Sequence, residues 1–298
     1  MLNANNLKGS FVALITPFNS DGSVNYNKIE ELVKFHLDND TDGIVALGTT
    51  AETPTLSDDE KFKIAEIVIK IVNKKIPVII GSGTNSTEHS IYLSRKYEEL
   101  GADGLLLVTP YYNKGNKEGI YNHFIKIANS VNIPSILYNV PGRTGVNIPF
   151  DIVQRLSKEK NIIGIKEASG NISYVTKCAT LINDNFKILS GNDDMIVPVL
   201  SVGGTGVISV WANIEPKLCH KLVFDYLDGN VNSSKDIQLN RLDFINSLFC
   251  ETNPIPIKYA MNLQGFNVGE YRLPLYPLTS EDKIAVKNEM IKIKLLKD

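Results

Sequence analysis

Ile162-Ile163-Gly164-Ile165-Lys166 decides how this 298-residue chain is read. Four apolar residues run straight into a lysine. One unit earlier Pro134-Ser135-Ile136-Leu137-Tyr138 has the same form and ends in a phenol. Burying an ammonium as a charge is costly, so burial favours the neutral amine, a nucleophile suited to Schiff-base chemistry with a carbonyl compound. The competing reading is a lysine that snorkels out of a strand end or pairs with Glu167.

Outward from these two runs the same pattern recurs. Strands are expected at Phe11–Ile15, Gly43–Leu47, Pro77–Gly81, Gly104–Val108, Pro134–Tyr138, Ile162–Lys166, Phe186–Ser190 and Gly206–Val210, with first residues 32, 34, 27, 30, 28, 24 and 20 positions apart. Near-continuous apolar runs suit strands buried on both faces. Helical periodicity fills the gaps: Ile29, Leu32, Val33 and His36 share one face, as do Phe62, Ala65, Val68 and Val72. Ser57-Asp58-Asp59-Glu60 reads as a capping box opening the second of these helices. Eight alternating strand–helix units predict an α/β fold, a closed (β/α)8 TIM barrel, with an open doubly wound sheet as the alternative. Residues 1–232 are expected to form the barrel and 233–298 a small C-terminal helical extension, with helical runs at Asp236–Leu248 and Ile257–Leu263 and a break at Pro254 and Pro256.

Composition narrows the function. With 43% hydrophobic and 21% charged residues and a formal net charge of -2, the chain has globular composition and no electrostatic footprint for nucleic acid or an anionic membrane. Cys178, Cys219 and Cys250 lie far apart without a CxxC pair, which predicts reduced cysteines. Met1–Asn6 has neither a charged nor an apolar signal region, and no apolar segment approaches the roughly 18 residues of a membrane span. A cytoplasmic location is expected. His36, His89, His123 and His220 have no companion ligands at metal-binding spacing and are expected on helix surfaces or boundaries. No GxGxxG follows the first strand, so neither a metal nor a nucleotide cofactor is expected.

In a barrel, function belongs at the C-terminal ends of the strands. There the sequence places Gly48-Thr49-Thr50-Ala51-Glu52, Thr109-Pro110-Tyr111-Tyr112, Tyr138 followed by Asn139-Val140-Pro141-Gly142-Arg143-Thr144-Gly145, then Lys166, Gly191-Asn192-Asp193-Asp194 and Ile208-Ser209. Each piece alone has a plain structural reading: a hydroxyl-capped turn, aromatic wall packing, a surface arginine. Together they bring hydroxyls, phenols, an arginine and a lysine to one rim. A phenol passes protons near neutral pH when a hydrogen-bonded chain holds it, and Thr49, Thr50 and a second tyrosine are at hand.

These motifs, with Ile165-Lys166-Glu167-Ala168 and Asn253-Pro254-Ile255-Pro256-Ile257-Lys258, resemble the dihydrodipicolinate synthases of the pyruvate-dependent class I aldolase superfamily over nearly the whole chain. The resemblance implies that Lys166 forms an imine with pyruvate, whose enamine attacks L-aspartate-4-semialdehyde to give 4-hydroxy-tetrahydrodipicolinate. It implies Tyr138 as proton donor and acceptor, linked through Thr50 to a Tyr112 contributed by the neighbouring subunit. Thr49 would support the relay, Thr50 and the Ile208 backbone would hold pyruvate, and Arg143 would clamp the second substrate's carboxylate, which its planar fork suits. A homotetramer built from tight homodimers is implied as well.

The sialic acid and 2-keto-3-deoxy sugar acid aldolases of the same superfamily are the alternative enzymes, and Arg143 argues for a partner aldehyde carrying its own carboxylate. A non-catalytic binding or regulatory barrel is the alternative of another class; pure binding needs no proton relay. Two departures stand out. Ala51 replaces the glycine usual in the Gly-Thr-Thr-Gly-Glu turn. At positions resembling the lysine feedback site Asn85 and Tyr111 are kept, but Asp58 and Lys61 stand where sensitive members carry histidines and His89 where they carry a glutamate. Weak or absent inhibition by lysine is therefore expected.

Overall fold

The computed structural model describes residues 2–297. Its eight strands are parallel and pair in chain order into a closed barrel: β1 Gly9–Ala13, β2 Gly43–Ala46, β3 Val78–Gly81, β4 Gly104–Val108, β5 Ser135–Asn139, β6 Ile162–Glu167, β7 Lys187–Ser190 and β8 Gly206–Ser209. These are the eight expected strands, with bounds moved by no more than two residues. Closure is made at β1, where Phe11 lies against Gly43 of β2 on one side and Ile208 of β8 on the other, leaving no exposed sheet edge in the barrel.

Helices cover the outside: α1 Tyr26–Leu37, α2 Asp58–Val72, α3 Thr87–Leu100, α4 Lys117–Ala128, α5 Pro141–Thr144, α6 Phe150–Leu156, α7 Ile172–Ala179, α8 Ile196–Ser201 and α9 Pro216–Leu227. The Ser57 capping box is present in full, its hydroxyl accepting from Glu60 N–H while the Glu60 carboxylate accepts from Ser57 N–H. Three helices follow: α10 Val231–Ser247, α11 Ile255–Leu263 and α12 Ser280–Lys292. Pro254 and Pro256 do not interrupt α11. Pro254 caps it and Pro256 sits in its first turn, where a missing N–H is harmless.

Two apolar clusters divide the interior. One fills the space between sheet and helices, with Ile29, Leu32, Val33, Ala65, Val68 and Val72 fully or almost fully buried. The other fills the barrel itself: Phe11, Ala13, Val45, Ile79, Leu106, Ile136, Leu189 and Ile208 point inward, and Leu2, Ala4 and Leu7 from the N-terminal segment join them.

An irregularity in β6 sets the orientation of everything above it. Ser135 of β5 pairs with Ile162, but the next residue, Ile136, pairs with Gly164, so Ile163 is one residue too many. Such a bulge shifts the alternation of side chains between the two faces. Ile162 faces the helices, yet Gly164 and Lys166 pair with the inward-facing Ile136 and Tyr138. Regular alternation from Ile162 would have turned Lys166 outward. Gly164 fits because a Cβ there would stand 2.7 Å from the Lys187 carbonyl oxygen and 3.0 Å from Leu7 Cδ2.

Candidate active site

Tyr138 and Lys166 are direct register partners on adjacent strands, and the Lys166 amine lies 4.3 Å from the centre of the Tyr138 ring. Both are 6% exposed, so the amine lies at the top of the barrel, shielded but not sealed. Their sequence neighbours lock the strand ends from the outer face. Asn139 Nδ2 donates to Glu167 Oε1 at 2.9 Å and to Asn147 Oδ1 at 2.7 Å, while Ile148 N–H donates to Asn139 Oδ1. Glu167 also accepts from the N–H and hydroxyl of Ser169. It is thus the clamp behind Lys166 rather than its ion-pair partner. Burial raises the Glu167 carboxyl above its ordinary value, and these hydrogen bonds pull the other way. The Tyr138 carbonyl is fixed too, accepting from the N–H and hydroxyl of Thr109.

The turn after β2 brings Thr49 and Thr50 to the same rim. Thr49–Ala51 form a single 3-10 turn, closed by Glu52 N–H donating to Thr49 O at 3.1 Å. Glu52 itself is left-handed, with φ 55°. The Ala51 methyl is buried and its carbonyl accepts from the Thr16 hydroxyl at 2.7 Å, so the turn accommodates alanine. Thr50 is 3% exposed, and its Oγ1 accepts from Asn253 Nδ2 at 2.9 Å. The Asn253 carbonyl in turn accepts from the Arg143 guanidinium at 2.8 Å. Asn253 therefore bridges two residues picked from sequence. Its role was hidden there because the contact with Thr50 spans 203 positions.

Arg143 is exposed, on the short α5 that follows β5, and lines one cavity with Thr49, Thr53, Lys61, Tyr111 and Tyr138. Ile208 is 1% exposed and faces the barrel interior. The backbone just beyond it is held by Asp193, whose Oδ2 accepts from Val210 N–H at 3.0 Å and Trp211 N–H at 2.9 Å. Burial pushes the Asp193 carboxyl up to about 6, opposed by these donors and more weakly by the charge of Lys166. Tyr112 stands apart. Its backbone is left-handed with φ 69°, and the residue is 90% exposed.

At the outer end of the cavity, Lys61 donates to Asp58 at 2.9 Å, and His89 lies 3.7 Å from the same carboxylate. Asp58 is thus already engaged by a cation. Two histidines depart from the placement at helix surfaces or boundaries expected of them. His36 is fully buried with its Nδ1 bonded to Thr41, and His123 is 6% exposed with its Nδ1 bonded to Thr87. Burial lowers their pKa values to about 3 and about 4. Both lie on the helix face turned toward the strands, where an imidazole with one hydrogen bond packs as an aromatic. Among the described residues no three His, Cys, Asp or Glu side chains converge as a metal site would require.

A lysine and a phenol stacked at one strand level, two threonine hydroxyls and an arginine are equipped for imine chemistry on a small keto acid. The model of the dihydrodipicolinate synthetase family matches residues 6–293. The 4-hydroxy-tetrahydrodipicolinate synthase of Caldicellulosiruptor saccharolyticus is 52% identical over 284 residues, 95% of this chain and 96% of that protein. The solved dihydrodipicolinate synthase of Thermotoga maritima has a TM-score of 0.94 at 41% identity, covering 97% of this chain and 99% of its own. That of Cyanidioschyzon merolae, solved with lysine bound, has a TM-score of 0.95 at 37% identity, covering 98% and 99%.

Proposed function

Because the chain belongs to the dihydrodipicolinate synthetase family, we propose that Lys166 is its imine-forming nucleophile, with Tyr138, Thr49, Thr50, Arg143 and Ile208 arranged around it. The reaction is the condensation of pyruvate with L-aspartate-4-semialdehyde to 4-hydroxy-tetrahydrodipicolinate, a lyase reaction in the diaminopimelate route to lysine. The register pairing of Tyr138 with Lys166, both facing into the barrel, is the observation that carries the assignment of residues.

The Lys166 amine adds to the keto carbon of pyruvate and water leaves, giving an imine. Loss of a methyl proton converts it to an enamine, whose terminal carbon bonds to the aldehyde carbon of the second substrate. The amino group of that substrate then displaces Lys166 from the imine carbon, which closes the ring and frees the lysine. In this reading Tyr138 takes and returns the protons of these steps, and Thr50 is the next hydroxyl of its relay. Arg143, exposed at the mouth of the cavity, offers its free donors to the second substrate's carboxylate while one nitrogen is held by Asn253. The exposed Tyr112 suits a residue that completes a neighbouring copy's relay, in a homotetramer or tight homodimer. No step here calls for a metal or nucleotide, and no helix among the described residues is long and apolar enough to cross a membrane. We take the enzyme to work in the cytoplasm.

The test is incubation with pyruvate and borohydride followed by peptide mass mapping. A reduced pyruvyl adduct on Lys166 is expected; labelling elsewhere, or none, would overturn the assignment.

A further inference from the structure

A fully buried ion pair adjoins the threonine turn. Lys258 of α11 and Glu52 form an ion pair at 2.9 Å in which neither side chain has any exposure. The Lys258 amine also donates to the Glu270 carbonyl and sits over the rings of Phe18 and Tyr271, at 4.5 Å and 5.1 Å from their centres. The second Glu52 oxygen accepts from Arg272 N–H at 3.0 Å. Burial lowers the pKa of Lys258, and the charge of Glu52 opposes that shift.

Stability alone does not account for such a pair. Two charges stripped of water seldom outperform apolar residues of similar volume. A second cost falls on the same residue, since Glu52 holds the left-handed backbone that side chains with a Cβ disfavour. Strain of this kind persists where surrounding contacts over-determine it. Here those contacts lead to the turn, because Glu52 N–H closes it on the Thr49 carbonyl. The residue just before the cap of α11, Asn253, grips the turn a second time by donating to the Thr50 hydroxyl.

We propose that Lys258 and Glu52 are positioning residues for the condensation: together they fix the turn that presents Thr49 and Thr50 to Tyr138. The proposal rests on the roles assigned to those threonines above. It makes Asn253 and α11, within the C-terminal extension, part of the apparatus that holds the site rather than a packed tail.

The test separates positioning from folding. In the Glu52→Gln, Lys258→Met double variant the amide keeps an acceptor for Arg272 N–H and no charge is left unpaired. Its melting temperature should stay within a few degrees of wild type, with kcat falling on the order of tenfold or more, as sub-ångström misplacement of a catalytic group does. The pyruvate adduct on Lys166 should still be trapped by borohydride, because that lysine sits on β6 and does not depend on the turn. A Glu52→Leu, Lys258→Met variant, apolar on both sides, answers the same question if the first folds poorly. Wild-type kcat in either folded variant would overturn the proposal, and so would failure of both to fold, which would make the pair a stability element. Absence of a Lys166 adduct in the wild-type enzyme would instead overturn the underlying assignment.

Discussion

A single methyl group on Gly191 should disable Lys166 without touching its chemistry. Gly191 follows β7, and its N–H donates to the Glu167 carbonyl at 2.7 Å, so the two backbones are in close contact. A Cβ built there would stand 2.6 Å from Ala168 Cβ, 3.0 Å from Lys166 Cε and 3.1 Å from Glu167 O. Ordinary carbon–carbon contact is about 3.5 Å, so Ala168 has to retreat by roughly 0.9 Å and the lysine stem by roughly 0.5 Å. Ala168 and the Glu167 carbonyl belong to the clamped end of β6 and give little; the lysine stem is what moves. Overpacking of this kind costs about 1–3 kcal/mol, against which a Gly→Ala change returns about 0.4–1 kcal/mol by restricting the unfolded chain. The net loss of about 0–2.6 kcal/mol corresponds to a fall of up to roughly 10 °C in melting temperature, so the labelling rate is the decisive readout. Displacement of the nucleophile should slow imine formation on the order of ten- to a hundredfold. Stopped borohydride labelling with pyruvate measures the rate and calorimetry the stability. A Gly191→Ala variant that labels at the wild-type rate would refute this account of the site's packing.

Arg143→Ala should raise KM for the semialdehyde by on the order of ten- to a hundredfold while leaving the Lys166 adduct intact, which steady-state kinetics beside labelling would check. Millimolar lysine should leave the rate unchanged, because Lys61 lies in the cavity wall and already occupies Asp58; an inhibition curve with a sub-millimolar midpoint would contradict it. Folding stability should carry a histidine signature. His36 and His123 have folded pKa values lowered to about 3 and about 4, so the unfolded chain takes up protons they refuse, and stability is lost as pH falls below about 6.5. Asp193, raised to about 6, works in the opposite direction over part of the range, so the clean readout is a difference. Between about pH 6 and 4.5, denaturant titrations of wild type should lose up to about 1.4 kcal/mol per pH unit more than His123→Gln.

How much of this was legible beforehand follows from the range of each interaction. The eight strands could be read because strands covered on both faces declare themselves as apolar runs, whatever their neighbours are. Their bounds could not be fixed, because the ladder ends where pairing ends: Leu14 and Ile15 are buried but lie beyond the last pair of β1. Lys166 and Tyr138 stood out for the same local reason. Asn253, Glu52 and Lys258 stood in quoted motifs without a role, since their partners lie 110 to 206 residues away. The histidines were misjudged because one hydrogen bond inside the fold is enough to bury an imidazole, and no pattern along the chain announces Thr41 or Thr87 as the partner.

The extra residue in β6 has a consequence for how this barrel can change. Lys166 faces inward because the pairing from Gly164 onward is in step with β5, and the bulge absorbs Ile163 instead of passing the extra residue along the strand. Point substitutions in the strand leave that pairing intact, so the run can drift among apolar residues while the amine stays aimed at Tyr138. Deletion of Ile163 would leave Ile162, Gly164, Ile165 and Lys166 in regular alternation opposite the same partners, with Lys166 still facing the barrel. A lineage could therefore gain or lose the residue at the bulge and keep its nucleophile in place.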